Sequence, residues 1–294
     1  MIVVMCPGGL VTGGPEALHQ LVDSVRRQGG DAAMHYTPDA SAAAPPQYRH
    51  YDVPTITSDA IPADALVVVP ETSTHLIDGL RGHATALWWL SVDYAPGDAG
   101  RAPVDLHLAQ SEYARLHLAR LGIDPMPLGD YLMPRYRDHG APRAPVIAVN
   151  AVKGAGLRRT MRVLAPDIGH LPIRGMSPDE VVSALNRAVA YVEFGPQPGR
   201  DRLPREAAAC GAVVFARRTG AGANAVDTPL PPEFIFTRTG MPRMIRALRE
   251  VLRDPAPARR AQEGYRQANV GDRERFDAQV RDLIAWQRRR VRAG

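Results

Sequence analysis

Lysine is almost absent from this 294-residue sequence: Lys153 is the only lysine, beside 35 arginines. Richness in Ala, Arg, Gly and Pro is typical of a GC-rich genome, which removes lysine codons without regard to function. Cysteine is also scarce, and Cys6 and Cys210 form neither a Cys-x-x-Cys pair nor a disulfide framework. These absences exclude a disulfide-stabilised secreted scaffold and a cysteine-ligated zinc site, and they favour a reducing cytoplasm.

Long apolar runs are missing as well. None approaches the 18 or more residues of a membrane span, and the short apolar start from Met1 to Cys6 lacks a basic leader, so it is expected to be a first strand. We therefore expect a soluble protein, or at most one held at a membrane surface.

Aromatic residues make up only 6% of the chain, and no basic-aromatic signature of an RNA-binding module occurs. The net charge of +5 and the pI near 9.5 favour anionic ligands without choosing among nucleic acid, anionic lipid and phosphorylated small molecules. Nucleic acid is the weaker expectation, so we predict that it is not a partner.

Strand-like and helix-like segments alternate along the chain, which predicts an α/β protein with mostly parallel sheets covered by helices. The alternation stops over residues 133–145, a proline-rich, charged stretch that is typical of a linker. We predict two successive Rossmann-like domains over residues 1–140 and 145–270. Ser177, Pro178 and Glu180 predict the start of one helix of the second domain, because they form a capping box with proline in the first turn.

Residues 271–294 are predicted to form a separate amphipathic, basic helix. Phe276, Val280, Leu283 and Ile284 make an apolar stripe at helical spacing, which we expect to pack against the first domain. The arginines from Arg288 to Arg292 either cap a solvated helix end or contact an anionic membrane surface, and both interpretations stay open.

The lone lysine lies in a strand, turn and helix unit. A short apolar run over 146–149 is followed by Asn150, Lys153 and Gly154 and then by a helical stretch. Such a unit places backbone N–H groups and positive charge together, which suits a phosphate. We therefore predict that Lys153 was retained for an anionic ligand.

Two other segments have the composition of binding loops. Gly13 and Gly14 lie between the first strand and its helix, where they either allow close approach of a ligand or simply form a tight turn. After a predicted strand that ends at Glu193, a loop with Gly199 leads to several charged residues at the carboxyl end of the strand, where ligands bind in open parallel sheets. Arg200, Arg202 and Arg205 could clamp a diphosphate while Glu206 accepts hydrogen bonds from ribose hydroxyls. A solvated salt-bridge cluster is the alternative, and both interpretations stay open.

Five segments together resemble bacterial GT-B glycosyltransferases in order and spacing, most strongly over residues 146–216. The resemblance covers most of the chain and implies two Rossmann-like domains facing a cleft, with the nucleotide-sugar donor mainly on the C-terminal domain and the acceptor on the N-terminal one. The segments are Gly13-Gly14-Pro15-Glu16, Gln110-Ser111-Glu112-Tyr113, the Asn150–Gly154 loop, Arg174-Gly175-Met176-Ser177 and residues 204–211.

The resemblance also implies roles for individual residues. Lys153 matches the basic residue that binds the donor diphosphate, and Glu206 matches the glutamate that holds the donor ribose. Arg174 lies in a matching turn and joins the donor-binding candidates. Retaining, group 1-like members usually carry another glutamate eight residues before the position of Glu206, where this sequence has Pro198, and Glu193 is the nearest upstream carboxylate. Retention or inversion therefore stays open.

The catalytic candidates are Lys153 and Glu193 in the second domain and His75 and Asp93 in the first. Glu71 and Tyr94 end strands in the same way as these two, and a base for the acceptor hydroxyl must lie within hydrogen-bond reach of it. The sequence has no Asp-x-Asp and no His-Glu-x-x-His, so we predict that neither a metal nor another cofactor is required.

Taken together, these features predict a metal-independent, cytoplasmic glycosyltransferase that moves a sugar from a nucleotide diphosphate-sugar to a glycan or small-molecule acceptor. The alternative is a degenerate, non-catalytic relative that serves as a binding or partner subunit, and Pro198 favours it. The fold by itself would not separate the two, because one fold hosts many functions.

Overall fold

The structure is a computed structural model that describes residues 1–39 and 44–293, with side chains described up to Arg290. The strands are β1 (Ile2–Pro7), β2 (Ala32–Thr37), β3 (Leu66–Pro70), β4 (Ala84–Trp89), β5 (Leu106–Ala109), β6 (Met126–Pro127), β7 (Ala144–Asn150), β8 (Gly169–Ile173), β9 (Ala188–Glu193), β10 (Val213–Arg217) and β11 (Ile235–Phe236). The helices are α1 (Gly13–Arg27), α2 (Glu112–Arg120), α3 (Ala155–Leu164), α4 (Pro178–Arg187), α5 (Arg202–Ala209), α6 (Met241–Arg253), α7 (Ala256–Ala261), α8 (Glu263–Val270) and α9 (Asp272–Ala293).

The chain forms two compact units. The first comprises Met1–Tyr131 together with Asp272–Gly294, and the second comprises Leu132–Gly271. The first unit thus ends before residue 140, the boundary that the sequence predicts, and α9 belongs to the first unit rather than standing apart. Within the described residues, no helix is both long and apolar enough to cross a membrane.

The first unit contains a six-stranded parallel sheet with the order β2-β1-β3-β4-β5-β6. β1 lies between β2 and β3, so that Ile2 pairs with both Ala32 and Leu66. Every residue of β3 is buried, as expected for a parallel strand that is covered on both faces. The chain order reverses between β1 and β3.

Local structure departs from the sequence-based expectations at three places in this unit. β2 and β6 were not predicted, because β2 contains two alanines and a histidine and β6 is only two residues long. The predicted alternation implies an α-helix between β3 and β4, whereas Glu71–Leu80 forms 3₁₀ turns interrupted by a non-helical Ser73. The alternation of strands and helices is otherwise as predicted.

Helix α9 packs against the rest of the first unit. Its apolar stripe is buried at Phe276, Val280, Leu283 and Ile284, as the sequence predicts. The hydroxyl of Ser24 on α1 donates a hydrogen bond of 2.6 Å to Asp277 Oδ1. Because polar and apolar contacts both join α1 to α9, the last helix is part of the core of this unit.

The second unit contains a five-stranded parallel sheet with the order β11-β10-β9-β7-β8. Its α4 begins with the capping box that the sequence predicts: Ser177 accepts from the N–H of Glu180, and the Glu180 carboxylate accepts from the N–H of Ser177. Two parallel sheets with alternating helices therefore confirm the predicted α/β class.

The segment before β7 is packed on the second unit instead of forming a free linker. Arg143 donates hydrogen bonds to the carbonyls of Leu185, at 3.1 Å, and Ala188, at 2.9 Å. The amide of Asn186 accepts from the N–H of His139 and donates to the carbonyl of Arg137. These bonds explain why the second unit begins at Leu132, before the predicted linker ends.

Leu283→Ala is expected to lower the free energy of unfolding of the first unit by about 2–5 kcal/mol, because it removes buried methyl groups and leaves a cavity. Exposed Arg281→Ala on the same helix is the control and should stay within about 0.5 kcal/mol of wild type. Urea unfolding followed by tryptophan fluorescence measures both, because Trp88, Trp89 and Trp286 all belong to this unit. Equal values for the two variants would contradict the assignment of α9 to the core.

Candidate functional site

The candidate site lies where the chain order of the second sheet reverses. From β7 the chain moves outward to β8 and then returns past β7 to β9 on its other side. The loops that follow β7 and β9 therefore leave the carboxyl edge of the sheet in divergent directions. In open parallel sheets, ligands bind at such a switch point.

The loop after β7 is shaped by an asparagine and a glycine. Asn150 Oδ1 accepts hydrogen bonds from the N–H groups of Val152, at 2.9 Å, and Lys153, at 3.2 Å, which turns the chain sharply. Gly154 has φ +67° and begins the transition to α3. A Cβ atom at residue 154 would lie 2.5 Å from the carbonyl carbon of Phe194 at the end of β9. Glycine is therefore required twice, for its left-handed backbone and for the close approach of the two loops.

Lys153 crosses from the loop after β7 to the loop after β9, which we call the second loop. Its side chain passes over Gly195, where a Cβ atom would lie 2.5 Å from Lys153 Cβ and 3.1 Å from Cδ. Its Nζ donates to Asp201 Oδ2 at 2.6 Å, and 26% of the lysine side chain is exposed. The ammonium group is thus fixed between the carboxyl ends of β7 and β9 while keeping contact with solvent.

Glu193 is completely buried beneath this ion pair. Its carboxyl accepts a hydrogen bond of 2.6 Å from the hydroxyl of Tyr191 and one of 2.7 Å from the N–H of Gly195. Burial, followed by the charge of Asp201, raises the pKa of Glu193 to about 7 against the opposing effects of its two hydrogen bonds and Lys153. Near neutral pH this group therefore holds or releases a proton with little cost.

Asp201 is held by cations on two sides. Burial raises the pKa of Asp201. The charge and the hydrogen bond of Lys153 lower it, and so does the charge of Arg205. Because Glu193 and Asp201 repel each other and Lys153 attracts both, the three groups form one electrostatic unit.

The arginines of the second loop differ in exposure and partners. Arg205 is only 1% exposed, and its Nε donates to Asn269 Oδ1 on α8 at 3.3 Å. Arg200 contacts the same oxygen at 3.4 Å, and Arg202 pairs with Glu206 at 3.4 Å. The buried Arg205 therefore joins α5 to α8, while Arg202 and Glu206 lie together on the first turns of α5.

The remaining predicted residues lie in separate places. Gly199 is buried in the loop before α5, and Arg174 is exposed after β8 without an ion pair to any described residue. In the first unit, Gly13 and Gly14 begin α1, His75 is exposed in a 3₁₀ turn, and Asp93 is exposed after β4 and accepts from the hydroxyl of Tyr113 at 2.6 Å. The structure thus brings together the predicted residues of the loops after β7 and β9.

The structure adds partners that sequence reasoning missed. Tyr191 lies two residues before Glu193, so strand alternation places both side chains on one face and could have revealed the pair. Asn269 lies far along the chain from Arg205, and nothing in the local sequence indicates that they meet.

In the first unit, Glu71 accepts hydrogen bonds from the N–H groups of Leu90, at 3.0 Å, and Ser91, at 2.8 Å, and burial raises the pKa of Glu71 to about 7. Glu71 is therefore a buried support for the loop after β4.

Gly154→Ala is expected to destabilise the second unit by about 2 kcal/mol or more, because the left-handed backbone and the contact with Phe194 both penalise a side chain. Gly156→Ala, two residues later in α3, has nothing within 4 Å of its added Cβ and should be neutral or stabilising by up to about 1 kcal/mol. Thermal unfolding followed by circular dichroism compares the two, and a stabilising Gly154→Ala would refute the close approach.

Glu193→Gln tests the raised pKa. Between pH 4.5 and about 7 the folded protein holds a proton that the unfolded chain has lost, so the associated stability is complete below 4.5 and is lost as the pH rises through 7. The loss is on the order of 3 kcal/mol for the second unit and should disappear from that unit in Glu193→Gln, whose amide can still bond to Tyr191 and Gly195. The similar loss expected from Glu71 should remain in the first unit. Urea midpoints at several pH values measure it, with exposed Glu250→Gln as a control that keeps the wild-type trend. An unchanged trend in Glu193→Gln would assign the proton elsewhere.

No protein-family model and no curated protein sequence matches this chain. Solved structures do match it in fold. Sucrose-phosphate synthase from Thermosynechococcus elongatus superposes with a TM-score of 0.69 at 14% identity, covering 100% of this chain and 99% of that one. A glycosyltransferase from Rickettsia africae gives a TM-score of 0.66 at 12% identity, covering 98% of this chain and 97% of that one.

A third neighbour was solved with ligands. It is an α-glucosyltransferase in complex with UDP-glucose and DNA containing an abasic site, with a TM-score of 0.55, 11% identity and coverage of 95% of this chain and 98% of that one. At these identities the likeness concerns the fold. The two α/β units of this chain thus have the fold of GT-B glycosyltransferases.

Proposed function

We propose that this chain is a sugar transferase that uses a nucleotide diphosphate-sugar, with the donor diphosphate bound at the switch point of the second sheet. The observation that carries the proposal is the ammonium of Lys153, fixed by Asp201 where the loops after β7 and β9 diverge. The absence of side chains at Gly154 and Gly195 lets the two loops pack against each other, which holds Lys153 at the switch point. A diphosphate fits a point charge beside the N-terminus of α3, where Ala155 and Gly156 are exposed.

Sugar transfer breaks the bond between the anomeric carbon and the terminal phosphate oxygen, so negative charge grows on the diphosphate. A preorganised cation beside that oxygen stabilises the transition state more than the ground state. Lys153 has this role in the proposal, and Arg200 and Arg202 add positive charge along the same loop. Glu206, beside Arg202, is the acceptor for the ribose hydroxyls.

Glu193 is better suited to a supporting role than to contact with the reacting sugar. It has no exposed surface, and its two oxygens are bonded to Tyr191 and Gly195. By holding the N–H of Gly195 it fixes the loop over which Lys153 passes. We therefore propose that Glu193 is a positioning residue, in place of the catalytic role that the sequence predicts.

The first unit supplies the acceptor side in this proposal. His75 and Asp93 are exposed near the carboxyl edge of its sheet and are the candidates for the base that deprotonates the acceptor hydroxyl. The acceptor class is a glycan or a small molecule. DNA, which accompanies one structural neighbour, is the contrasting class to include in an acceptor screen.

Lys153→Ala is expected to weaken binding of a nucleoside diphosphate by about 10-fold to 100-fold, since it removes a charge-assisted hydrogen bond. Lys153→Arg should also lose most of the binding and turnover, because a planar guanidinium is bulkier than the ammonium that fits over Gly195. Thermal shift and calorimetry against the nucleoside diphosphates and their sugars measure this, with exposed Arg187→Ala on α4 as a charge-matched control.

Parallel titrations with magnesium and with a chelator test the predicted independence of metal. A shift with one nucleotide in both conditions, lost in Lys153→Ala and kept in Arg187→Ala, supports the donor site. Donor binding without sugar transfer to any acceptor would favour the non-catalytic alternative. Wild-type binding and turnover in Lys153→Arg would remove Lys153 from the proposal.

A further inference from the structure

Charge is divided very unevenly between the two units. The second unit contains 22 basic and 12 acidic residues, a formal charge of +10, whereas the first contains 14 basic and 19 acidic residues, a formal charge of −5. The candidate diphosphate site does not account for this excess, because its cations lie beside Glu193, Asp201 and Glu206. The additional positive charge must lie on other surfaces of the second unit.

Much of it lies on the outer sides of two helices. Arg159 and Arg162 are exposed on α3, and Arg243, Arg246 and Arg253 are exposed on α6; we call these five residues the arginine face. Asp167, which follows α3, pairs with Arg249 on α6 at 2.7 Å, so the chain just after α3 contacts α6. The arginine face therefore consists of one group on α3 and one on α6, linked through this ion pair.

None of these five arginines has a carboxylate partner among the described residues, although many other arginines of the chain do, such as Arg27 and Arg115. The nearby acids are few: Asp167 is taken by Arg249, and Glu250 and Asp254 are the others on α6 and directly after it. Burial first, and then the charges of Arg162 and Arg158, lower the pKa of His170 on the neighbouring β8. Among the described residues, basic groups thus outnumber acidic ones on this surface, which makes the local potential positive.

Exposed aliphatic side chains accompany the charges. Val163 is 73% exposed and Leu164 is 48% exposed, and both follow Arg162 directly at the end of α3. Val163 lies one helical turn after Arg159, so charge and apolar surface share the outer side of the helix. Neither α3 nor α6 contains an aromatic residue on which a base could stack.

We propose that the arginine face binds the surface of an anionic lipid bilayer. Exposed arginines with no carboxylate partner among the described residues complement a plane of anionic headgroups, and Val163 and Leu164 can enter the boundary between headgroups and acyl chains. Nucleic acid would use the charges but would leave the aliphatic pair without a partner. The proposal differs from membrane contact through the C-terminal arginines, since Arg290 is already paired with Asp105 and stacked over Trp286.

Vesicle co-sedimentation with the full-length chain tests this proposal. Wild type should bind vesicles that contain about 30% phosphatidylglycerol in phosphatidylcholine, and should bind much less to pure phosphatidylcholine or in high salt. The double variants Arg159→Ala/Arg162→Ala and Arg243→Ala/Arg246→Ala should each reduce the partition coefficient roughly 25-fold, about fivefold per arginine. Val163→Ser should weaken binding without changing the charge.

Arg288→Ala/Arg289→Ala on α9 is the matched control, because it removes the same charge from the other candidate membrane surface. It should bind like wild type, and all variants should keep the wild-type melting temperature. Equal loss in the α9 variant, or no wild-type binding to the anionic vesicles, would overturn the proposal. So would binding of a DNA duplex through the arginine face with no wild-type binding to vesicles.

Discussion

The close contact between Gly154 and the backbone of Phe194 is the constraint on which the candidate site depends. It brings the loop after β7 against the end of β9, so that Lys153 can pass over Gly195 and reach Asp201. A side chain at either glycine would separate the loops and move the ammonium away from the switch point. The position of Lys153 thus depends on the absence of a Cβ atom at Gly154 and Gly195.

The charges beneath that contact form a tightly packed group. A buried carboxyl at Glu193, a mostly buried Asp201 and the lysine share one small volume, and Tyr191 and the N–H of Gly195 provide the remaining hydrogen bonds. Burying charged groups costs desolvation free energy that an apolar core does not, so the arrangement is not explained by stability alone. An anionic ligand that binds Lys153 would use the positive charge held at this position by Asp201. This connects the buried ion pair to the proposed donor site.

Positive charge occurs in two different settings in the second unit. At the carboxyl edge of its sheet, cations are interleaved with carboxylates and partly buried, which suits a small anion bound in a defined orientation. On the arginine face, cations are exposed and unpaired by carboxylates, which suits an extended anionic surface. The first unit has a net negative charge. Arginine is thus paired and partly buried in one setting and exposed in the other, which is why we propose a small anion for the first and a lipid surface for the second.

Local pattern alone determined much of this protein: most strands of both sheets, the capping box at Ser177, the apolar stripe of α9 and the glycine turn at Lys153 each follow from neighbours in sequence. The short β6, the alanine-containing β2 and the 3₁₀ turns over Glu71–Leu80 escaped prediction because their patterns are weak. Only the tertiary structure paired Lys153 with Asp201 and Arg205 with Asn269, removed Glu193 from solvent, and brought Asp167 to Arg249 of α6. Periodicity records which face of an element is buried, whereas partners distant along the chain are chosen by how the elements pack.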